Sequence, residues 1–230
     1  MEFREGEKSM IEHVIKKIEE EKIITIVRGV AREKLIPLAQ AMYDGGICFV
    51  ECTYDTSGKI KDEEIAENIR MLAEHFDGKM YVGAGTVLTE KQVVLTKKAG
   101  GKFIISPDTT PDIIRKTKEE GLVSIPGAFT PSEIAAAKRA GADFIKVFPV
   151  DALGPKYIKD MMAPLSTCKL LAVGGINEKN MSEYYTAGAV GFGIGSGVVN
   201  KKSIEIGDFK TITGYAKSYS DAAKQLVKDV

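Results

Sequence analysis

The residue best suited to covalent chemistry is a lysine within residues 143–149, whose sequence is DFIKVFP. Alternation along a strand places Phe144, Lys146 and Phe148 on one face and the apolar residues between them on the other. Two apolar faces are typical of a buried parallel strand, so Lys146 is expected in or beside a core. Burial disfavours an ammonium, and a neutral amine forms Schiff bases with carbonyl compounds. The alternative is a strand-end lysine whose ammonium reaches solvent or pairs with a carboxylate.

A second ionisable side chain, Glu51, lies in the strand-like run at residues 47–53, ICFVECT. It shares a strand face with Phe49 and Thr53 and is therefore predicted to point inward. A carboxylate in such a place can pass protons to and from a reacting carbinolamine and a substrate hydroxyl. The alternative role is structural, as the partner that keeps Lys146 charged.

Composition narrows the class of protein. Of 230 residues, 44% are hydrophobic and 28% are charged, and Lys+Arg and Asp+Glu are equal at 32 each, so the chain offers no excess charge to nucleic acids or acidic membranes. The three cysteines, Cys48, Cys52 and Cys168, cannot all pair, which favours a reducing compartment. With two histidines, His13 and His75, neither a His-rich metal site nor a His-dependent triad is expected.

The N-terminal residues MEFREGEKSM are polar and lack the apolar core of a signal peptide. No segment approaches the roughly 20 apolar residues of a membrane span. The sequence therefore predicts a cytoplasmic protein that uses neither a metal nor another cofactor.

Eight strand-like runs alternate with helix-like stretches after an N-terminal helix over about residues 8–21. The predicted strands are residues 23–27, 47–53, 80–86, 102–106, 122–127, 143–149, 169–175 and 190–197, and a last helix is predicted over 208–228. Alternation of this kind indicates parallel strands joined by right-handed crossovers. No linker interrupts it, so residues 1–230 are predicted to form a single domain. Eight units in this length match a (β/α)8 TIM barrel with an extra N-terminal helix, and the competing fold is an open doubly wound sheet.

Polar residues, prolines and glycines recur where these strands end. They are Arg28, Glu51, Thr86, Ser106-Pro107, Pro126-Gly127, Lys146, Gly174-Gly175 and Gly195-Ser196. All fall toward the C-terminal rim of the predicted barrel, where barrel enzymes build their active sites. The glycines after the last two strands leave backbone N–H groups free for a phosphate, although tight packing explains a single glycine turn equally well.

Taken together, these motifs resemble the Schiff-base aldolases that cleave 2-keto-3-deoxy-6-phosphogluconate (KDPG) or 4-hydroxy-2-oxoglutarate (KHG). The similarity runs from about residue 10 to about residue 200. The matching segments are ECT (51–53), GAGTVL (83–88), IISPD (104–108), IPGAFTPSE (125–133), KVFP (146–149), GGI (174–176) and, less closely, GSG (195–197).

The resemblance implies retro-aldol cleavage of a 2-keto-3-deoxy-6-phospho sugar acid to pyruvate and glyceraldehyde 3-phosphate, without a metal, by a homotrimer. Lys146 would form the Schiff base, and Glu51 would be the general acid and base. The remaining residues would bind substrate: Thr86 and Arg28 at the pyruvyl or carboxylate end, Pro107 and Phe148 as pocket walls, and Gly174, Gly175, Gly195 and Ser196 at the phosphate.

The chain departs from this family at three places. Asp55 stands where several members have a carboxylate-binding arginine, and an acidic side chain cannot grip an anion, so that contact is lost or moved, for example to Arg28. Ala172-Val173 before the Gly-Gly pair, and Arg-Gly after the first strand, are more similar to the 2-keto-3-deoxy-6-phosphogalactonate branch. Residues 54–64 form a loop that is longer than in most relatives and could cover the barrel mouth.

Three other functions are compatible with the sequence. A KHG aldolase would give pyruvate and glyoxylate. A phosphosugar isomerase or epimerase would keep the phosphate site and use Lys146 only electrostatically, so a keto acid would not trap it covalently. A non-catalytic sugar-phosphate binder would bind pyruvate without turnover.

Overall fold

A computed structural model describes residues 5–226, with side chains described from residue 9. The strands are β1 (Ile23–Val27), β2 (Phe49–Thr53), β3 (Tyr81–Gly85), β4 (Phe103–Ile105), β5 (Val123–Ile125), β6 (Gly127–Ala128), β7 (Ile145–Val147), β8 (Leu170–Val173) and β9 (Ala189–Ile194). The helices are α1 (Glu5–Glu21), α2 (Arg32–Asp44), α3 (Asp62–His75), α4 (Glu90–Lys98), α5 (Pro111–Glu119), α6 (Pro131–Ala140), α7 (Gly154–Met162), α8 (Met181–Thr186), α9 (Lys201–Ile206) and α10 (Phe209–Gln225).

All strand pairs are parallel, in the order β5-β4-β3-β2-β1-β9-β8-β7-β6. The two ends of this order, β5 and β6, are the halves of one predicted strand, which is interrupted only at Pro126. The sheet is therefore a nearly closed barrel with helices between its strands. The predicted barrel fold and its extra N-terminal helix are confirmed.

Some element boundaries differ from the prediction. The strands are shorter because residues at both ends, such as Ile47 and Ser106, lie outside the paired segments. Helix α9 was not predicted; it is a six-residue helix, too short to show a clear periodicity. The predicted last helix corresponds to α10, and residues 227 and 228 of that prediction lie outside the described residues.

Alternation along the strands separates two cores. One lies inside the barrel and includes Phe49, Phe103 and Phe144, all fully buried. Ile11 and Ile18 of α1 belong to the same interior cluster, so the N-terminal helix packs against the barrel interior. The other core fills the layer between the strands and the surrounding helices. This arrangement explains why strands such as β7 are apolar on both faces.

The first and last strands in chain order meet where β1 pairs with β9. Outside this pair, α10 packs against α2, and a Cβ built on Gly45 would lie 2.4 Å from the Cβ of Ala216. The Ser220 hydroxyl also donates a hydrogen bond to the Gly46 carbonyl at 3.1 Å. Within residues 5–226, no helix is long and apolar enough to cross a membrane.

Candidate active site

Lys146 and Glu51 meet inside the barrel. Both line one small internal cavity, and apart from Gly193 its other lining residues are apolar: Ile24, Ile26, Ile105, Ile125, Leu171 and Val173. Lys146 comes from β7 and Glu51 from β2, so the two strands place the side chains there independently. The cavity thus holds an amine and a carboxyl group in apolar surroundings.

Glu51 is a buried acid whose carboxylate accepts no hydrogen bond from the residues that the structure describes. The residue is 2% exposed, and within residues 5–226 its Oε2 atom has no hydrogen-bond partner. Burial raises the pKa of Glu51 to about 7, and the charges of Lys146 and Arg28 oppose that rise. Near neutral pH the group therefore exists in both protonation states, which is the condition for general acid–base catalysis.

A glycine on the neighbouring strand makes room for this carboxyl group. In the β2–β3 register Gly85 is opposite Thr53, and a Cβ built on Gly85 would lie 2.3 Å from Oε1 of Glu51 and 2.6 Å from its Cδ. No real Cβ contact is that short, so any larger residue at position 85 would displace the carboxyl group. Gly85, in the Gly-Ala-Gly segment of β3, therefore allows the Glu51 carboxyl group to take its position.

Lys146 is half-buried between Gly127 of β6 and Leu171 of β8. Its Nζ lies 5.1 Å from the ring centroid of Phe148, within the range of a cation–π contact. Phe148 itself is 49% exposed. The amine is thus open toward the C-terminal rim and is covered on one side by an aromatic ring.

Arg28 and Thr86 contact each other at the same rim. Nη2 of Arg28 donates a hydrogen bond to Oγ1 of Thr86 at 2.9 Å. Thr86 has a φ of +57°, a conformation that β-branched residues rarely adopt. Strain of this kind persists where the surroundings hold it and is frequent at functional sites. Here it coincides with the placement of the Thr86 hydroxyl beside the guanidinium.

The Gly174-Gly175 turn follows β8, with φ values of +105° and +65°. A Cβ on Gly175 would lie 2.5 Å from the Cβ of Asp151, and a Cβ on Gly174 would lie 3.4 Å from an Asp151 carboxylate oxygen. Tight packing, the alternative considered for these glycines, is therefore present at Gly175. The nearby carboxylate does not favour an anion at this turn.

The Gly195-Ser196 turn follows β9 and faces a cavity of about 450 Å³. Arg28, Lys201 and Lys202 line the same cavity. In the described part of the chain, the N–H group of Ser196 donates no hydrogen bond to the backbone. Of the two predicted phosphate turns, this one combines free polar groups with positive charge.

The carboxylate of Asp55 is hydrogen-bonded within its own loop. It accepts hydrogen bonds from the backbone N–H and the hydroxyl of Ser57, and from the N–H groups of Lys59 at 2.8 Å and Ile60 at 2.9 Å. These bonds lower the pKa of Asp55 to about 2. The loop lines a cavity of about 130 Å³ together with Arg28, so it lies beside the rim. An arginine at position 55 would lack every one of these contacts.

Pro107 is exposed at the end of β4, and a Cβ built on Gly127 would lie 2.3 Å from its carbonyl oxygen. Glu51 and Lys146 lie within β2 and β7, and the other predicted site residues lie just beyond the C-terminal ends of their strands. Sequence reasoning missed Gly85, Asp151, Lys201 and Lys202. Only the adjacent lysines, shortly after Gly-Ser-Gly, gave a signal that could have been noticed.

Two further features lie outside this site. A cavity of about 630 Å³ opens near Met10, His13 and Tyr81, at the opposite end of the barrel. Among the described residues, no cluster of three or more His, Cys, Asp or Glu side chains could hold a metal ion.

Several known proteins are similar to this chain in sequence or in structure. A probable 2-dehydro-3-deoxy-6-phosphogalactonate aldolase from Rhizobium meliloti (strain 1021) is 33% identical over 192 residues, which cover 83% of this chain and 87% of the relative. A solved structure described as native KDPGal has a TM-score of 0.80 at 29% identity, covering 90% of this chain and 96% of the other. A KDPG aldolase from Legionella pneumophila, with pyruvate captured as a covalent carbinolamine intermediate, has a TM-score of 0.79 at 27% identity, covering 88% and 95%.

The sequence model of the family described as KDPG and KHG aldolase matches residues 14–215. This span includes every strand, from β1 to β9, and all the rim residues discussed above. The resemblance inferred from the motifs is thereby confirmed, and the chain belongs to the KDPG and KHG aldolase family.

Proposed function

We propose that this protein is a class I aldolase, a carbon–carbon lyase that cleaves a 2-keto-3-deoxy-6-phospho sugar acid to pyruvate and glyceraldehyde 3-phosphate. The observation that carries the proposal is the pair formed by Lys146 and Glu51 in one apolar cavity. A Schiff-base amine and a carboxyl group with a pKa of about 7 are the two groups that this chemistry requires. The names of the similar proteins support the same substrate class.

The reaction begins when the Lys146 amine attacks the C2 carbonyl of the keto acid to give a carbinolamine. Loss of water, with a proton supplied by Glu51, gives the iminium ion. The Glu51 carboxylate then takes the proton of the C4 hydroxyl, the C3–C4 bond breaks and the aldehyde leaves. The bond electrons form an enamine, which takes a proton at C3, and water releases pyruvate from the lysine.

The rim residues bind the rest of the substrate in this proposal. Arg28 and Thr86, already hydrogen-bonded to each other, hold the keto-acid carboxylate. Pro107 and Phe148 form walls of the pocket. The phosphate binds at the glycine turns, Gly174, Gly175, Gly195 and Ser196, and the Ser196 side has the more favourable surroundings because Asp151 packs against Gly175.

The sugar epimer, the assembly and the location belong to the same proposal. The motif Ala-Val-Gly-Gly at 172–175 and the Rhizobium relative favour the galactonate epimer. A homotrimer is supported by the family resemblance and by apolar side chains exposed near the C-terminal rim, such as Leu88 and Leu153. A cytoplasmic location is supported by the unpaired cysteines.

Borohydride reduction in the presence of pyruvate tests the mechanism. Intact mass and peptide mapping should find one reduced pyruvate on Lys146, absent from Lys146→Ala and present in the surface control Lys79→Ala. A folded protein that acquires no adduct would overturn the aldolase proposal in favour of an isomerase or a binding protein. Release of pyruvate from the phosphogluconate, phosphogalactonate and 4-hydroxy-2-oxoglutarate substrates then ranks them.

A further inference from the structure

The cavity beyond β9 has an unusual set of charges. Its lining residues are Ile26, Arg28, Gly195, Ser196, Val199, Asn200, Lys201 and Lys202. Three of these side chains are cationic and none is a carboxylate. Ile26 also lines the internal cavity that holds Lys146 and Glu51, so one β1 residue forms a wall of both cavities. A ligand of the internal cavity therefore has this charged space directly beside it.

The two lysines lie in the first turn of a capped helix, and their side chains are unpartnered within the part of the chain that the structure describes. They begin helix α9, whose N-cap residue Asn200 accepts a hydrogen bond from the Ser203 N–H at 3.0 Å. In the described part of the chain, neither Lys201 nor Lys202 makes an ion pair or a side-chain hydrogen bond. No carboxylate is among the residues that line this cavity, so an anion bound between the two adjacent lysines would lower their mutual repulsion.

We propose that Lys201 and Lys202 bind the distal phosphate of the substrate and make the enzyme selective for phosphorylated keto acids. The inference rests on the proposed function and deepens it. Glycine turns offer a phosphate only neutral N–H donors, and Gly174-Gly175 lies against the Asp151 carboxylate. The lysines supply the two positive charges that a phosphate dianion requires, next to Ser196. Arg28 then remains available for the keto-acid carboxylate on the Thr86 side.

Kinetics of the double variant Lys201→Gln/Lys202→Gln test the inference. The measured quantity is the KM for the phosphorylated keto acid divided by the pyruvate concentration that gives half-maximal borohydride trapping. Pyruvate carries no phosphate, so this ratio isolates phosphate binding. We expect it to rise by about tenfold, equivalent to about 1.4 kcal/mol. The effect should shrink with added salt, as the screening length falls from about 30 Å at 0.01 M to about 3 Å at 1 M.

Two matched variants serve as controls. Lys79→Gln/Lys138→Gln removes two exposed lysines remote from the cavity lining and should leave the ratio unchanged. Lys201→Arg/Lys202→Arg keeps the charge and should stay within about twofold of the wild type. A normal circular dichroism spectrum shows that each variant is folded.

Calorimetry with inorganic phosphate separates this inference from the proposed function. The Kd should rise about tenfold in the Gln variant, and this readout does not depend on turnover. An unchanged Kd and an unchanged ratio in a folded Gln variant would overturn the inference while leaving Schiff-base trapping intact. A raised Kd with an unchanged substrate ratio would also overturn it, because the lysines would then bind a free anion and not the substrate. Failure of wild-type trapping would count against the aldolase proposal, and the phosphate Kd would still show whether the two lysines bind an anion.

Discussion

The buried carboxyl group of Glu51 makes stability depend on pH in a direction that can be measured. Its pKa is 4.5 in the unfolded chain and about 7 in the folded protein, mainly because of burial. The folded state therefore binds the proton more tightly, and unfolding releases it between these two pH values. The free energy of unfolding is highest below pH 4.5 and falls as pH rises through 7.

The expected size follows from the same two values. At about 1.4 kcal/mol per pKa unit, the full effect is about 3 kcal/mol, and most of it falls between pH 5 and pH 8. Glu51→Gln removes the titration. Relative to the wild type, the variant should therefore gain about 2 to 3 kcal/mol of stability between pH 5 and pH 8, while losing turnover because position 51 can no longer exchange a proton.

Urea unfolding at pH 5, 6, 7 and 8, followed by circular dichroism at one protein concentration, measures this difference. Asp208→Asn is the control, because hydrogen bonds from Thr211 lower the pKa of Asp208 below its ordinary 3.8 and its contribution is constant above pH 5. The reasoning is refuted if the difference between wild type and Glu51→Gln stays constant within about 0.5 kcal/mol over this range.

Three further substitutions probe the rim. Gly85→Ala should displace the Glu51 carboxyl group and lower kcat by about a hundredfold, since proton transfer by a positioned group contributes about that much. Thr86→Gly should relieve about 1 kcal/mol of backbone strain, so the Tm should rise, yet the half-saturating pyruvate concentration should increase as Arg28 loses its hydroxyl partner. Asp55→Ala should speed amide hydrogen exchange over residues 57–60, where its carboxylate accepts three N–H bonds.

Each of these three predictions has a control or an outcome that would contradict it. Gly214→Ala places a methyl group where no atom lies within 4 Å, and it should leave kcat unchanged. Retention of full kcat by Gly85→Ala would show that the carboxyl group tolerates displacement. A lower Tm for Thr86→Gly would mean that the relieved strain is smaller than the extra conformational entropy that glycine loses on folding. Unaltered exchange in Asp55→Ala would show that the loop is held by other contacts.

The sequence predicted the interior of the barrel well because side chains there obey a strict period of two. Alternation alone pointed Glu51 inward from its strand and placed Lys146 on the same face as the buried Phe144. The strand order followed from the alternation of strands and helices, since parallel neighbours require crossovers.

Residues in the loops could not be placed in this way. Asp151 packs against Gly175 across a gap of 24 residues, and no periodicity connects the two positions. The sequence indicated that an acid at position 55 cannot bind an anion. It did not indicate that the Asp55 carboxylate accepts hydrogen bonds from the backbone of its own loop. The orientation of Lys201 toward a cavity depends on helix α9, which was too short to predict.

The pairing of β1 with β9 has a consequence for synthesis on the ribosome. The first strand to emerge needs a partner that lies about 170 residues later in the chain, and α2 needs α10, which ends at Gln225. Until those segments emerge, β1 keeps an unpaired edge and α2 an uncovered apolar face, features that promote association between nascent chains. Barrel closure must therefore wait for β9, and truncations that remove β9 or α10 should aggregate even though Glu51 and Lys146 are intact.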